Sequence, residues 1–235
     1  MKHYTDLFID FDDTLYDTHG NARLALQELY DHYALHRYFD RYETFFDDYW
    51  ATNIDLWSRY ARGEITRDYL IVERFRHPLA LGRGLTVSEE LCRRVSDTFL
   101  DYCATKPGVV DGARELMDHL HRRGYRMHLC SNGFHEVQYR KLRACGLEHF
   151  FTTIILSEDA GANKPSATFF DYAFSTSGAR RATTLMIGDS LQTDIEGASR
   201  YGLDTIFFNR FPDYPAPPGT ATVEVHSLSD IMSLL

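Results

Sequence analysis

The sequence predicts an α/β protein, a parallel sheet core with helices on both faces and one inserted block of helices. Three observations predict it. An apolar run, Leu7-Phe8-Ile9, ends in the acidic stretch Asp10-Phe11-Asp12-Asp13-Thr14. Residues 17–104 then show helical periodicity without a strand pattern. From Lys106-Pro107-Gly108 onward, short and continuously apolar segments alternate with helical ones, the pattern of parallel strands covered on both faces. The expected division is a core of residues 1–16 and 105–235 and a helical domain of residues 17–104.

Each element has a local reason. Leu7-Phe8-Ile9 is a buried strand. Asn21 to Phe39 carries Leu24, Leu26, Leu29, Tyr30 and Tyr33 at mixed three and four spacing, and Tyr42 to Tyr60 repeats that pattern with aromatics, among them Trp57 and Tyr60, which read as core. Thr66 caps a third helix through Ile71, Val72 and Phe75. Thr86-Val87-Ser88-Glu89 reads as a capping box opening a fourth, which ends near Cys103. Gly63, His77-Pro78 and Gly82-Arg83-Gly84 punctuate the block. Beyond it, helices near Ala113–Arg122, Glu136–Ala144, from Ser166, and around Ile195–Tyr201 precede strands at Tyr125–Cys130, Thr152–Leu156, Thr184–Ile187 and Thr205–Phe208. The proline-rich stretch 211–219 connects to a short strand at Thr222–Val225 and a last helix.

Composition narrows the function classes. A 44% hydrophobic content suffices for a buried core, and no stretch approaches the roughly 20 apolar residues of a membrane span. Met1-Lys2-His3-Tyr4 leads into the first strand with no secretory h-region, so a cytoplasmic protein with no membrane partner is expected. The net charge of −9 argues against a nucleic acid polymer as ligand, since phosphate-backbone binding needs clustered Lys and Arg. A small phosphorylated metabolite is compatible with that charge if a local cation or divalent metal assists. Cys92, Cys103, Cys130 and Cys145 lack C-x-x-C spacing and read as buried thiols, and the scattered histidines as surface or packing residues.

The strand tips carry the chemistry. The first ends at Asp10 and Asp12, the second at Ser131-Asn132-Gly133, and the fourth at Gly188-Asp189-Ser190 with Asp194 following; Lys164-Pro165 precedes the helix after the third. Ligands of open α/β sheets bind at the carboxyl ends of strands, so these groups should converge. Each alone has an ordinary role: an exposed lysine, a turn, a helix N-cap, a solvated Asp13. Together they supply what phosphoryl transfer needs. Asp10 is an anionic nucleophile at neutral pH. Mg²⁺ takes carboxylate oxygens, here from Asp10 and Asp189. Lys164 adds a point charge that screens nucleophile and phosphoryl group. Ser131 and the backbone N–H groups near Asn132 face phosphate oxygens. Asp12 serves as acid and then base if its surroundings raise its pKa. Asp194 orients its neighbours, and Thr14 fixes the loop by side-chain to backbone bonds.

On these residues the chain resembles the haloacid dehalogenase superfamily of phosphotransferases. The likeness runs from about residue 4 to 210, through Asp10-Phe11-Asp12-Asp13-Thr14, Ser131, Lys164, and Gly188-Asp189 with Asp194. It implies a Rossmann-like core with the first strand central, Mg²⁺ bound by Asp10, Asp189 and the main-chain carbonyl of Asp12, and a helical cap that closes over substrate. Members that dehalogenate lack an acid at the Asp12 position, so its presence points to phosphate esters. Residues 53–60 and 63–66, with Asn132-Gly133-Phe134, Ser157-Glu158 and Lys164 through Ala173, resemble the YjjG-type pyrimidine 5′-nucleotidases. That likeness implies hydrolysis of nucleoside 5′-monophosphates; the oligomeric state, monomer or homodimer, is left open. Alternatives are a sugar-phosphate or phosphoglycolate phosphatase or a phosphosugar mutase on the same core, a phospho-acceptor signalling module, or a non-catalytic binding protein.

Overall fold

The computed structural model describes residues 3–210 and 217–235, so Met1, Lys2 and residues 211–216 of the expected proline-rich connection lie outside the described residues. The chain divides into two compact units, one of Met1–Thr18 with Pro107–Leu235 and one of His19–Lys106. All four cysteines are buried and free. No helix among the described residues is long and apolar enough to cross a membrane.

After strand β1 (Asp6–Ile9) come four helices, α1 (Thr18–His32), α2 (Tyr42–Ala61), α3 (Arg67–Ala80) and α4 (Glu89–Cys103). Their buried faces meet in an aromatic core that includes Phe45, Phe46, Tyr49, Phe75 and Phe99. Five details depart from the periodicity. Helix α1 stops at His32 rather than Phe39, because Ala34 takes a left-handed φ of 49° and a 3-10 turn at Leu35–Arg37 folds Leu35 and Phe39 back onto the core. Its Leu24 is exposed. Pro78 lies inside α3, in its last turn, where its missing N–H leaves the Arg74 carbonyl without its i→i−4 bond, and both it and Leu79 are buried. The cap of α4 is Ser88, whose hydroxyl accepts from the Leu91 N–H at 3.1 Å, while Thr86 is exposed. Trp57 and Tyr60 stack edge to face at 5.6 Å, half-buried rather than in the core.

The rest of the chain runs α5 (Ala113–Arg122), β2 (Arg126–Ser131), α6 (His135–Cys145), β3 (Phe151–Leu156), α7 (Ser157–Ala160), α8 (Ala167–Ser177), β4 (Thr184–Gly188), a π-helical turn Leu191–Glu196 continuing into α9 (Gly197–Tyr201), β5 (Asp204–Phe208), β6 (Val223–Val225) and α10 (Leu228–Leu234). The strands form one parallel six-stranded sheet in the order β3-β2-β1-β4-β5-β6. Side chains alternate across it with the two-residue strand period. Leu7, Ile9, Leu129, Leu185 and Ile187 pack on one face with Leu116, Leu142 and Ile231. Phe8, Cys130 and Met186 pack on the other with Phe169, Phe170 and Ala198. The expected α/β class with a central first strand holds. Order reverses at β1, whose register pairs Ile9 with Ile187 of β4, so the residues after both strands leave the sheet side by side at its switch point.

Candidate active site

Asp10 follows β1 and donates its backbone N–H to the Ile187 carbonyl at 2.9 Å, while Asp189 follows β4. The Thr14 hydroxyl stands between them, 3.0 Å from Asp10 Oδ2 and 3.1 Å from Asp189 Oδ1. It also accepts the Asp189 N–H at 3.0 Å. Thr14 thus ties its loop to the tip of β4, using the side-chain to backbone bond expected of it.

Lys164 is buried and spends all three ammonium protons: on Asp10 Oδ1 at 2.6 Å, the Cys130 carbonyl at 2.6 Å and Asp194 Oδ1 at 2.7 Å. Burial opposes its charge, but Asp10 and Asp194 pull its pKa well above the usual lysine range. Asp194 reaches Lys164 from the π-helical turn, and its Oδ2 accepts the Ser190 N–H at 3.1 Å. A Cβ on Gly188 would overlap the Asp194 carboxyl, so the close approach requires glycine at the end of β4.

One carboxylate oxygen each from Asp10, Asp189 and Asp194 lies within 4.8 Å of the others. Burial, with Asp194 and Asp12 nearby, pushes Asp10 up to about 7 against the pull of Lys164. Burial and the charges of Asp10, Asp194 and Asp13 push Asp189 well above its ordinary value. With all three acids ionised, one ammonium would leave an excess of negative charge, and an all-oxygen, carboxylate donor set fits a hard divalent cation such as Mg²⁺.

The structure corrects one expectation. Asp12 lies outside that carboxylate cluster, and its pKa is lowered, not raised. Burial alone would raise it, but the charge and hydrogen bond of Lys141, then Gln138 and Thr18, hold it below the ordinary carboxylate range. Lys141 Nζ stands 2.6 Å and Thr18 Oγ1 2.8 Å from Asp12 Oδ1, and Gln138 Nε2 2.5 Å from Oδ2. Any metal contact from Asp12 is therefore left to the main-chain carbonyl implied by the resemblance. The Asn132 side chain is committed within the protein. Its amide clamps the Lys164 backbone, accepting the N–H at 2.8 Å and donating to the carbonyl at 3.0 Å. Ser131 Oγ accepts from the Gly133 N–H at 3.0 Å and Gln138 Nε2 at 2.8 Å, so its own proton is the capacity it retains. Asp13, at φ 61°, pairs with Arg210 at 3.2 Å.

Gln138 and Lys141 were missed because polar side chains on a helix read as solvent-facing. The signal was present. Residues 138, 141, 142 and 145 fall on one face of α6, and all four are buried.

The class that this sheet and this centre define is the haloacid dehalogenase-like hydrolase, and the chain belongs to that family, whose model matches residues 7–202. It is 32% identical over 236 residues to the HAD-hydrolase YfnB of Bacillus subtilis (strain 168), covering 100% of this chain and 97% of that protein. The crystal structure of YfnB bound to magnesium superposes with a TM-score of 0.87 over 99% of each chain at 30% identity. Pyrimidine 5′-nucleotidase YjjG of Escherichia coli (strain K12) is 30% identical over 97% of this chain and 96% of its own. Pyrimidine 5′-nucleotidase PynA of Streptococcus pneumoniae (strain ATCC BAA-255 / R6) is 28% identical over 99% and 95%.

Proposed function

We propose that the protein is a Mg²⁺-dependent phosphatase of small phosphomonoesters, nucleoside 5′-monophosphates foremost, acting through a covalent phospho-Asp10. The observation that carries the reading is the charge imbalance at Asp10: a buried carboxylate with Lys164 at 2.6 Å, packed among further acids that one ammonium does not neutralise. Asp10 and Asp189, with the Asp12 carbonyl, would hold the ion. When bound, it supplies positive charge that offsets repulsion between the carboxylates and a phosphate dianion.

The chain's own residues account for the rest. Asp10 attacks phosphorus, the phosphorus–oxygen ester bond breaks, and the leaving oxygen takes a proton from Asp12. A water then attacks phosphorus and passes its proton to Asp12, releasing inorganic phosphate and free Asp10. Asp12 is ionised in the ligand-free protein, the form suited to the second step. A phosphate arriving beside it adds like charge and raises its proton affinity, so that Asp12 takes up one proton, from the phosphate monoanion or from solvent, and holds it for the first step. Lys164 keeps Asp10 in place and screens the transferring group; Ser131 donates its hydroxyl to a phosphate oxygen. Similarity over nearly the whole chain to two pyrimidine 5′-nucleotidases supports the nucleotide reading.

The test is phosphate release, with Mg²⁺, from a panel of pyrimidine and purine 5′-monophosphates, sugar phosphates, phosphoglycolate and phosphoserine. Pyrimidine nucleotides should show the highest kcat/KM, and Asp10→Asn should lower kcat by at least about a thousandfold. Absence of turnover across the panel, or activity surviving in Asp10→Asn, would refute the reading; a preference for sugar phosphates would replace the nucleotide part alone.

A further inference from the structure

The hydrogen-bond geometry around Asp12 assigns work to two residues of α6 that no strand-tip motif contains. Both carboxylate oxygens of Asp12 are held from that helix, Oδ1 by Lys141 and Oδ2 by Gln138, which lie one helical turn apart on one face. Lys141 is itself fixed, its ammonium 4.9 Å above the Tyr16 ring. Gln138 is 1% exposed, and its Nε2 serves Asp12 and Ser131 together. Its Oε1 is buried with no partner among the described residues. A glutamine kept for packing would not strand a carbonyl; this one leaves Oε1 unsatisfied because turning the amide over would set that oxygen against a carboxylate. The backbone has made room for it. A Cβ at Gly133 would overlap the Gln138 side chain, so glycine at 133 and glutamine at 138 are one arrangement.

We infer that Gln138 and Lys141 are positioning residues that fix the Asp12 carboxyl for proton transfer to the leaving group, and that Gln138 aligns the Ser131 hydroxyl at the same time. The inference rests on the acid–base role proposed for Asp12. It has a consequence that a merely structural role lacks. An alkyl ester such as uridine 5′-monophosphate needs a proton on its departing oxygen, whereas p-nitrophenyl phosphate departs as a stabilised phenolate and needs little. Displacing Asp12 should therefore slow the two esters unequally.

The experiment measures phosphorylation in a single turnover by rapid quench, with Mg²⁺, for wild type, Gln138→Leu, Lys141→Met, Lys141→Arg, Gly133→Ala and Asp12→Asn, each checked for fold by circular dichroism. Lys141→Met should slow uridine 5′-monophosphate by about tenfold or more, with p-nitrophenyl phosphate within about threefold of wild type, and Gln138→Leu, which also frees Ser131, should slow both esters, uridine 5′-monophosphate by about tenfold more than p-nitrophenyl phosphate. Lys141→Arg should recover most of the loss, and Gly133→Ala, which evicts Gln138, should reproduce the Gln138→Leu selectivity. If one variant fails to fold, the Lys141 pair carries the comparison. Equal loss on both esters, or none on either, while Asp12→Asn remains selective for the alkyl ester, overturns the positioning inference alone. Absence of selectivity in Asp12→Asn overturns the acid–base reading beneath it.

Discussion

At the scale of single residues, Lys164 is held by what surrounds it more than by its own chain. All its protons are committed, and its backbone is gripped by both halves of the Asn132 amide. A phosphate ligand and a clamp on Lys164 predict different kinetics for Asn132. Loss of a ligand weakens binding of substrate and product alike, whereas loss of a clamp misplaces the ammonium on which Asp10 depends and shows in the chemical step. Asn132→Ala should lower kcat by about ten- to a hundredfold, as expected when a group is misplaced by a fraction of an ångström to an ångström, with KM and product inhibition by phosphate within about threefold. Steady-state kinetics with phosphate as inhibitor decides between them; a rise in KM and in the phosphate inhibition constant at constant kcat would restore the ligand role. Removing the ammonium is a harsher change. Lys164→Met would leave Asp10 and Asp194 buried without their shared counter-charge, a loss of about 3–5 kcal/mol in stability for a broken buried pair.

At the scale of elements, α4 offers a clean contrast between a motif and a cap. Thr86 and Glu89 have capping-box spacing, yet the hydroxyl that meets the helix N-terminus belongs to Ser88. Ser88→Ala should cost about 1 kcal/mol of unfolding free energy and Thr86→Ala close to none, read by urea denaturation; equal losses would place the cap elsewhere. The same contrast explains what the chain disclosed and what it withheld. Strands β1, β2 and β4 and their polar tips were legible, because a run such as Leu7-Phe8-Ile9 with carboxylates at its end has few alternatives to a buried parallel strand. Asp10, Lys164 and Asp189 came together as those tips implied. The end of α1 was not legible, since Tyr33, Leu35 and Phe39 continue the periodicity and only the packed core shows that Leu35 and Phe39 are reached by a reversal at Ala34. The π-helical turn at Leu191–Glu196 escaped for a related reason: it is fixed by Asp194 meeting Lys164, a long-range contact, where local pattern gives an ordinary helix start. Gln138 and Lys141 likewise have a partner, Asp12, more than a hundred residues earlier in the chain.

At the scale of the whole molecule, the acids of the centre couple stability to pH and, on the function proposed, to metal. The pKa values of Asp10 and Asp189 are raised on folding, mainly by burial and then by neighbouring carboxylates, Asp10 to about 7 from 3.8. A raised carboxyl binds more protons in the folded than in the unfolded state. Its contribution is therefore present at low pH and is lost as pH climbs from the ordinary carboxylate value through the raised one. Asp12 runs the other way, its lowered pKa giving stability above the ordinary value that is lost as pH falls. His128, buried against Asp6, is lowered chiefly by burial and likewise favours the folded state less as pH falls below 6.5. Absolute melting curves mix these opposed trends, but the gain from Mg²⁺ isolates the first. A divalent cation competes with protons for Asp10 and Asp189, so the rise in Tm on adding it should be small at pH 5 and large at pH 8. At a hundredfold excess over Kd the gain is about 2.7 kcal/mol, roughly 5–10 °C for a chain of this size. Asp189→Asn should raise the Tm of the metal-free protein at pH 8, since it relieves the crowding, and should at least halve the Mg²⁺ increment. Differential scanning calorimetry at both pH values, with EDTA and with Mg²⁺, reads all of these without recourse to activity. An increment equal at pH 5 and pH 8, or one that survives Asp189→Asn unchanged, would mean that the cation acts elsewhere and that the buried acids are balanced by Lys164 alone.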